Sequence, residues 1–138
     1  MDDLEWLRMR CALWPDEKAA HGTDMASWLA RPDTVVLIAE RPGGAGLAGF
    51  AEAGARPFAD GCETSPVAHL EGWYVDPDVR RQGIGTALIR AAEAWARDCG
   101  YREFASDALL DNIDSHRAHE ALGFVEVERA VRYRKTLR

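Results

Sequence analysis

VDPDVRRQGIGTALI (residues 75–89) carries the reading of the whole chain, because it passes from a strand end through a proline turn and two arginines into glycines that open an apolar helix. Glycines at a helix start, beside cations, mark a place that something approaches at backbone distance. The N–H groups of a first helical turn lack intrahelical partners and carry partial positive charge, which suits an anion. Glycine removes the Cβ that would hold a phosphate away, and Arg80 and Arg81 add charge-assisted hydrogen bonds. A pyrophosphate fits that chemistry. The spacing is neither G-x-G-x-x-G nor G-x-x-x-x-G-K-[ST], so dinucleotide and P-loop binding are not favoured. The plainer alternative is a tight strand-to-helix turn with solvated arginines.

Downstream, 83–99 is the clearest helix. Ile84, Ala87, Leu88, Ala91, Ala92, Trp95, Ala96 and Cys99 follow the i, i+3, i+4, i+7 pattern, and Gly100 supplies a left-handed cap. Residues 101–107 read as a short strand and 111–122 as a helix closed by Gly123. The closing FVEVERAV and RYRKTLR read as a strand hairpin, with Val131, Tyr133 and Leu137 on one face and Arg132 and Arg134 on the other. Upstream, Leu4, Leu7 and Cys11 share a helical stripe that Pro15 ends. A second helix spans 23–30, with Thr23 as N-cap and Met25, Trp28 and Leu29 turned inward. TVVLIAE (34–40), residues 45–55 and VAHLEGWYVD (67–76) are strands, the first two joined by a turn at Arg41-Pro42-Gly43-Gly44. Strands dominate the first half and helices cross between strands in the second. The fold class is α/β (α+β) with a mixed sheet.

The 138 residues, 47% hydrophobic and 29% charged, suit one soluble domain over 1–138. No apolar run approaches the roughly 18–20 residues of a membrane span. The start, MDDLEWLRMR, carries no apolar signal-peptide core. Three cysteines without a C-x-x-C pair indicate neither a disulfide framework nor a zinc site, so a cytoplasmic setting is expected. The four histidines show no metal-ligand spacing. A net charge of −6 argues against nucleic-acid binding and is compatible with a cationic substrate.

V-D-P-D-V-R-R-Q-G-I-G followed by an amphipathic helix resembles the acetyl-CoA signature of the GNAT superfamily of N-acetyltransferases, R/Q-x-x-G-x-G/A, through Arg80, Gly83 and Gly85. N-I-D-S-H-R-A-H-E-A-L-G-F (112–124) resembles that superfamily's fourth-helix region. The resemblance implies a GNAT fold, a mixed central β-sheet with splayed parallel strands flanked by about four helices. It implies that the loop Arg80, Arg81, Gln82, Gly83, Ile84, Gly85 and Thr86 binds the pyrophosphate of acetyl-CoA. By the same likeness the pantetheine arm pairs with backbone at Trp73, Tyr74 and Val75, and Asn112, Ser115 and His119 border the cofactor. One departure is that the superfamily's first strand normally precedes the first helix, whereas here the helix starts almost at Met1, so either that strand is absent or the chain begins late, and that edge of the sheet stays open.

L-W-P (13–15), G-C-E-T-S-P (61–66), L-E-G-W-Y-V (70–75), R-E-F-A-S-D (102–107) and the closing R-Y-R-K are similar to bacterial aminoglycoside 6′-N-acetyltransferases. This likeness implies acetyl transfer to the 6′-amine of an aminoglycoside antibiotic, a resistance activity, and a homodimer. A GNAT enzyme for another amine, such as a polyamine or a protein N-terminus, is the alternative. A non-catalytic acyl-CoA-binding module is another.

Transfer of an acetyl group from a thioester requires a neutral amine, and aliphatic amines are mostly protonated near neutral pH. A carboxylate beside the amine holds the cation and accepts its proton. An oxyanion needs an N–H donor. No cysteine has the setting of a nucleophile, which agrees with direct attack. Glu71, in an otherwise apolar and aromatic strand, is costly there unless paired or functional. Asp107 ends the next strand, where open sheets place ligand crevices, although a helix cap or turn residue reads equally well. The resemblance turns both acids toward the acceptor and leaves open which is the base. Tyr133 is a candidate acid for the CoA thiolate, or else a core aromatic with a satisfied hydroxyl. His119 stands where the superfamily commonly has a tyrosine and is not read as catalytic. The resemblance implies that Trp14 and Phe58, on loops before these strands, wall the sugar pocket, although core packing is the more frequent fate of a lone tryptophan.

Overall fold

The structure, a computed structural model, describes residues 2–138. Helix α1 (Asp3–Leu13) is capped by Asp2, whose Oδ1 accepts from the Glu5 N–H at 3.1 Å. Its buried residues are Trp6, Met9 and Arg10. The expected Leu4–Leu7–Cys11 stripe is corrected: Leu4 is exposed, and Leu7 and Cys11 are half-buried. The inward face is rotated because a charged residue, Arg10, lies inside with a partner, which a hydrophobic pattern excludes. Glu52 accepts from Arg10 Nη1 and from Trp6 Nε1, and both ions are nearly solvent-free. Removing one member of such a pair strands the other charge, a loss of about 3–5 kcal/mol.

Helix α2 (His21–Ala30) begins two residues earlier than expected, with Ala20 rather than Thr23 before it. Met25 is buried, while Leu29 faces solvent. Strands β1 (Thr34–Glu40), β2 (Leu47–Arg56) and β3 (Val67–Val75) follow, then α3 (Ile84–Asp98), β4 (Phe104–Ala105) and α4 (Ile113–Ala121). The sheet runs β1-β2-β3-β4, antiparallel except for the parallel β3–β4 pair.

β2 is buried on both faces from Leu47 to Gly54, since helices cover both sides of the sheet. On one side Trp6, Met9, Met25, Leu47 and Phe50 form a core with Trp14 and Trp28 packed against it. On the other, Ala51, Leu70, Leu88 and Ile89 pack with Trp73, Phe104 and Phe124. α3 supplies Leu88, Ile89, Ala92 and Ala96 to the interior, in keeping with its apolar period.

Two irregularities position the site. The β2–β3 register jumps between Glu52↔Gly72 and Ala53↔Leu70, leaving Glu71 as the extra residue of a β-bulge. β3 and β4 pair only at Ala68↔Phe104 and His69↔Ala105, after which β3 runs on to Val75 paired with β2 but not with β4. The strands therefore part. The expected strand over 101–107 contracts to these two residues, with the Glu103 carbonyl accepting one further bond from the Ala68 N–H at 3.2 Å.

Residues 125–138 form no strand, and the expected closing hairpin is corrected. Val125, Val127, Val131, Tyr133 and Leu137 are all exposed, Tyr133 at 92%. Val131 and Tyr133 therefore share no inward face. The segment lies along the loop after β2, where a Cβ added to Gly61 would meet Val127 Cγ2 at 2.3 Å.

Candidate active site

The loop between β3 and α3 is built for an anion. Val75 ends the strand, a 3₁₀ turn (Pro77–Val79) reverses the chain, and Gly83 precedes α3 at φ +86° with no side chain capping the helix. Only glycine adopts that angle without strain. Arg81 takes the left-handed region as well, at φ 63°. Arg80, Arg81, Gln82, Gly83 and Thr86 are exposed, while Ile84 and Gly85 are half-buried, so the N–H groups of the first turn face an open surface. A Cβ on Gly83 would meet nothing within 4 Å, and one on Gly85 would touch Trp73 Cζ2 at 3.4 Å. A bare helix start flanked by arginines fits a pyrophosphate group.

The loop is held from behind. Arg8 and Arg41 both donate to the buried Asp76 at 2.9 Å, and Arg41 also grips Asp78 at 2.8 Å. Burial pushes the Asp76 carboxyl up, but the hydrogen bonds from Arg8 and Arg41 outweigh it and bring it below the ordinary value. Arg80 donates through Nε to the Val75 carbonyl at 2.8 Å and lies over the Tyr74 ring.

Trp73 donates from Nε1 to the Gly85 carbonyl at 3.2 Å and meets the His119 ring edge-on at 5.5 Å. His119 Nδ1 lies 2.7 Å from the Ser115 carbonyl, which can only accept, so Nδ1 carries a proton. Its Nε2 lies 2.7 Å from Ser106 Oγ. Asn112 caps α4 by accepting from the Ser115 N–H at 3.2 Å. Trp73, His119 and Ser106 thus line the wedge where β3 and β4 part.

Beyond the wedge stand the two acids. Arg56 donates to Glu71 through Nε at 2.6 Å and Nη2 at 2.7 Å, a bidentate pair. Burial raises the Glu71 carboxyl, yet the contacts from His69 and Arg56 outweigh it and lower its pKa to about 2. Asp107 is 67% exposed, with Oδ2 3.9 Å from His69 Nε2. His69 therefore lies between the two carboxylates. The sequence reading passed over it. The available signal was its position two residues before Glu71, on the same face of a strand.

On the α1/α2 side of the sheet, Glu71 and Glu52 open into a hollow of about 310 Å³ walled by Trp14 and Trp28, with Glu17, Asp24, Arg10 and Arg31 around it. Arg10 is bound to Glu52 and Arg31 to Asp33 at 3.0 Å, so the hollow presents net negative charge. Trp14 is fixed from two sides. A Cβ on Gly72 would stand 2.6 Å from its Cη2, and its carbonyl meets His21 Nε2 at 3.1 Å. His21 Nδ1 accepts from Arg10 Nε at 3.2 Å, which puts the ring proton on Nε2. Glu71 and Trp14 thus share the hollow, whereas Asp107 approaches Glu71 only across His69 and lies outside it, and Phe58, 72% exposed, does not line it either. Tyr133 is not brought to them. Among the described residues, no group of three or more His, Cys, Asp or Glu is arranged for a metal ion.

The family model for the acetyltransferase (GNAT) family matches residues 1–124. The chain is 51% identical over 141 residues to an aminoglycoside N(6′)-acetyltransferase type 1 of Klebsiella aerogenes, covering 99% of this chain and 91% of that relative. Its fold superimposes on the apo crystal structure of the aminoglycoside antibiotic 6′-N-acetyltransferase AAC(6′)-IG of Acinetobacter haemolyticus with a TM-score of 0.89 and 43% identity, covering 97% of this chain and 92% of that one. It matches AAC(6′)-Iy in complex with the bisubstrate analogue CoA-S-monomethyl-acetylneamine equally well, with a TM-score of 0.89, 38% identity and coverage of 96% and 90%.

Proposed function

The chain belongs to the acetyltransferase (GNAT) family, and from that premise we propose that it is an aminoglycoside 6′-N-acetyltransferase that takes its acetyl group from acetyl-CoA. Acetylation removes one cation from a polycationic drug, and resistance to the antibiotic follows. The observation that carries this reading is the pair Glu71 and Asp107 at the mouth of the β3–β4 wedge, with the bare start of α3 beside it.

In this reading the α3 start and Arg80 and Arg81 take the pyrophosphate. For the pantetheine arm to pair with Val75, Arg80 releases the Val75 carbonyl. Trp14 and the acids of the hollow hold the sugar rings and their ammonium groups. Glu71, kept ionised by His69 and Arg56, anchors a cation and is a poor proton acceptor. Asp107 is the freer carboxylate and takes the amine proton. The nitrogen attacks the thioester carbon directly, an N–C bond forms and the C–S bond breaks. Residues 1–138 act as one domain. A cytoplasmic setting agrees with the free cysteines Cys11, Cys62 and Cys99, and no described helix is long and apolar enough to cross a membrane.

The enzyme works as a homodimer. The support is the 125–138 arm, whose sequence alternates like a strand while its apolar side chains stay exposed. Beside it, β4 offers a sheet edge that a second copy's arm can extend. Tyr133 rides on this arm, so any role at the thiolate depends on that docking.

Thiol release from acetyl-CoA tests the activity, with kanamycin as acceptor and a 6′-hydroxyl aminoglycoside as control. Turnover of the first alone is expected. No turnover of it, or equal turnover of both, overturns the 6′-amine assignment in favour of another acceptor. Glu71→Ala and Asp107→Ala each lower kcat/KM on the order of 10²-fold. Unchanged turnover in both removes the carboxylates from the mechanism.

A further inference from the structure

His69 is 3% exposed, yet both its ring nitrogens face carboxylates. Nδ1 lies 3.1 Å from Glu71 Oε1 but is misaligned for a hydrogen bond, which leaves it a buried nitrogen without a bonded partner. Nε2 lies 3.9 Å from Asp107 Oδ2. The placement follows from topology: His69 is the last β3 residue paired with β4, opposite Ala105, and Asp107 follows two residues later. The β-bulge then keeps Glu71 beside it.

A neutral imidazole has one N–H and can satisfy one of these carboxylates, whereas an imidazolium has two and serves both. Two anions within 4 Å favour the charged ring, and burial disfavours it. The groups that set this balance are Glu71 on β3, Asp107 after β4, Glu52 across on β2, and Arg56, the cation that clamps Glu71 from its other side. The ring thus stands within reach of both carboxylates, with a nitrogen turned toward each.

Resting on the acyl-transfer reading above, we infer that His69 is a positioning residue that holds the proton shed by the acceptor amine. An ammonium nitrogen loses two protons in becoming an amide. One ends on the CoA thiolate and restores the thiol. The other passes to Asp107 and from there to His69 Nε2, a gap that one water or a small carboxylate rotation closes. Glu71, fixed by Arg56, faces the opposite nitrogen and stabilises the resulting imidazolium. The proton leaves to solvent through Asp107 when the product departs. The net balance is one ammonium and one thioester consumed, with one amide, one thiol and one proton formed.

The test is His69→Gln, which keeps a hydrogen-bonding side chain and cannot titrate. We expect kcat to fall on the order of 10²-fold, with KM for acetyl-CoA within about twofold. The acid limb of the kcat profile should flatten, because glutamine offers no site for the proton. Wild-type kcat with an unchanged acid limb overturns the inference. A second measurement needs no turnover: the His69 ring is titrated by NMR in the intact protein, with His116 as internal reference. Glu71→Gln and Asp107→Asn should each lower the His69 midpoint and leave that of His116 in place. An unmoved His69 midpoint in both variants overturns the inference even if His69→Gln does not fold. Failure of the wild type to acetylate kanamycin would instead remove the acceptor assignment, while the titration still decides the role of His69.

Discussion

Glu71 shows how two neighbours, His69 and the bidentate Arg56, set the charge of a site against the pull of burial. The carboxyl of Glu71 has a pKa of about 2 against an ordinary 4.5. A depressed carboxyl adds stability that is fully present above the unfolded value and is lost as pH falls through the folded one. The contribution from these contacts, His69 and Arg56 together, is therefore complete above about pH 4.5 and fades toward about pH 2. Arg56→Ala raises the folded value. Urea midpoints followed downward from neutral pH should differ between wild type and variant by about 1 kcal/mol or less, because the pair is partly exposed. The difference should shrink as the medium turns acid; a difference that grows would contradict the sign. Glu71 was legible in the sequence because a lone glutamate in an apolar strand demands a reason. Its partner Arg56 was not, since only the β2–β3 register brings the two together. His69 was hidden by the same cause, as one of its neighbours comes from a strand far along the chain.

Elements with a strong period were the most legible. α3 lies where its apolar repeat put it, and Gly83 and Gly100 take the left-handed angles that bound it. Gly83 makes a local test possible. Alanine there meets no atom within 4 Å, so its effect is conformational alone, about 1–2 kcal/mol for a left-handed residue. If the loop relaxes to avoid that cost, the helix start loses its aim. Gly83→Ala should then raise KM for acetyl-CoA about tenfold while KM for the aminoglycoside stays put, which initial rates with each substrate varied will show. α1 was the least legible, because its inward Arg10 is polar by type and buried only through Glu52 and His21. The closing arm failed for a different reason. An alternating pattern expresses readiness to be a strand, and a strand still needs an edge to pair with.

For the whole molecule, the three-layer order and the parting of β3 from β4 followed from the chain's likeness to its family rather than from periodicity. The likeness reached the arm through its R-Y-R-K but did not give its exposed conformation. Its five exposed apolar side chains form the kind of surface that a monomer rarely leaves bare. Light scattering on the eluting protein should give twice the chain mass. The double substitution Val131→Lys and Leu137→Lys should shift it to the single-chain mass with the far-ultraviolet circular dichroism retained. A wild-type protein that elutes as a single chain would leave the arm without the role proposed for it.

The seam between β3 and β4 is two residue pairs long. Beyond it β3 and the segment after β4 are bridged by α4, whose His119 touches both Trp73 and Ser106, and a molecule seated in the wedge adds further contacts between them. A ligand that binds only the folded chain stabilises it by mass action, about 2.7 kcal/mol at 100 times its dissociation constant. The acetyl donor then doubles as a structural staple. A cell that runs short of it would lose the protein to proteolysis as well as lose the reaction.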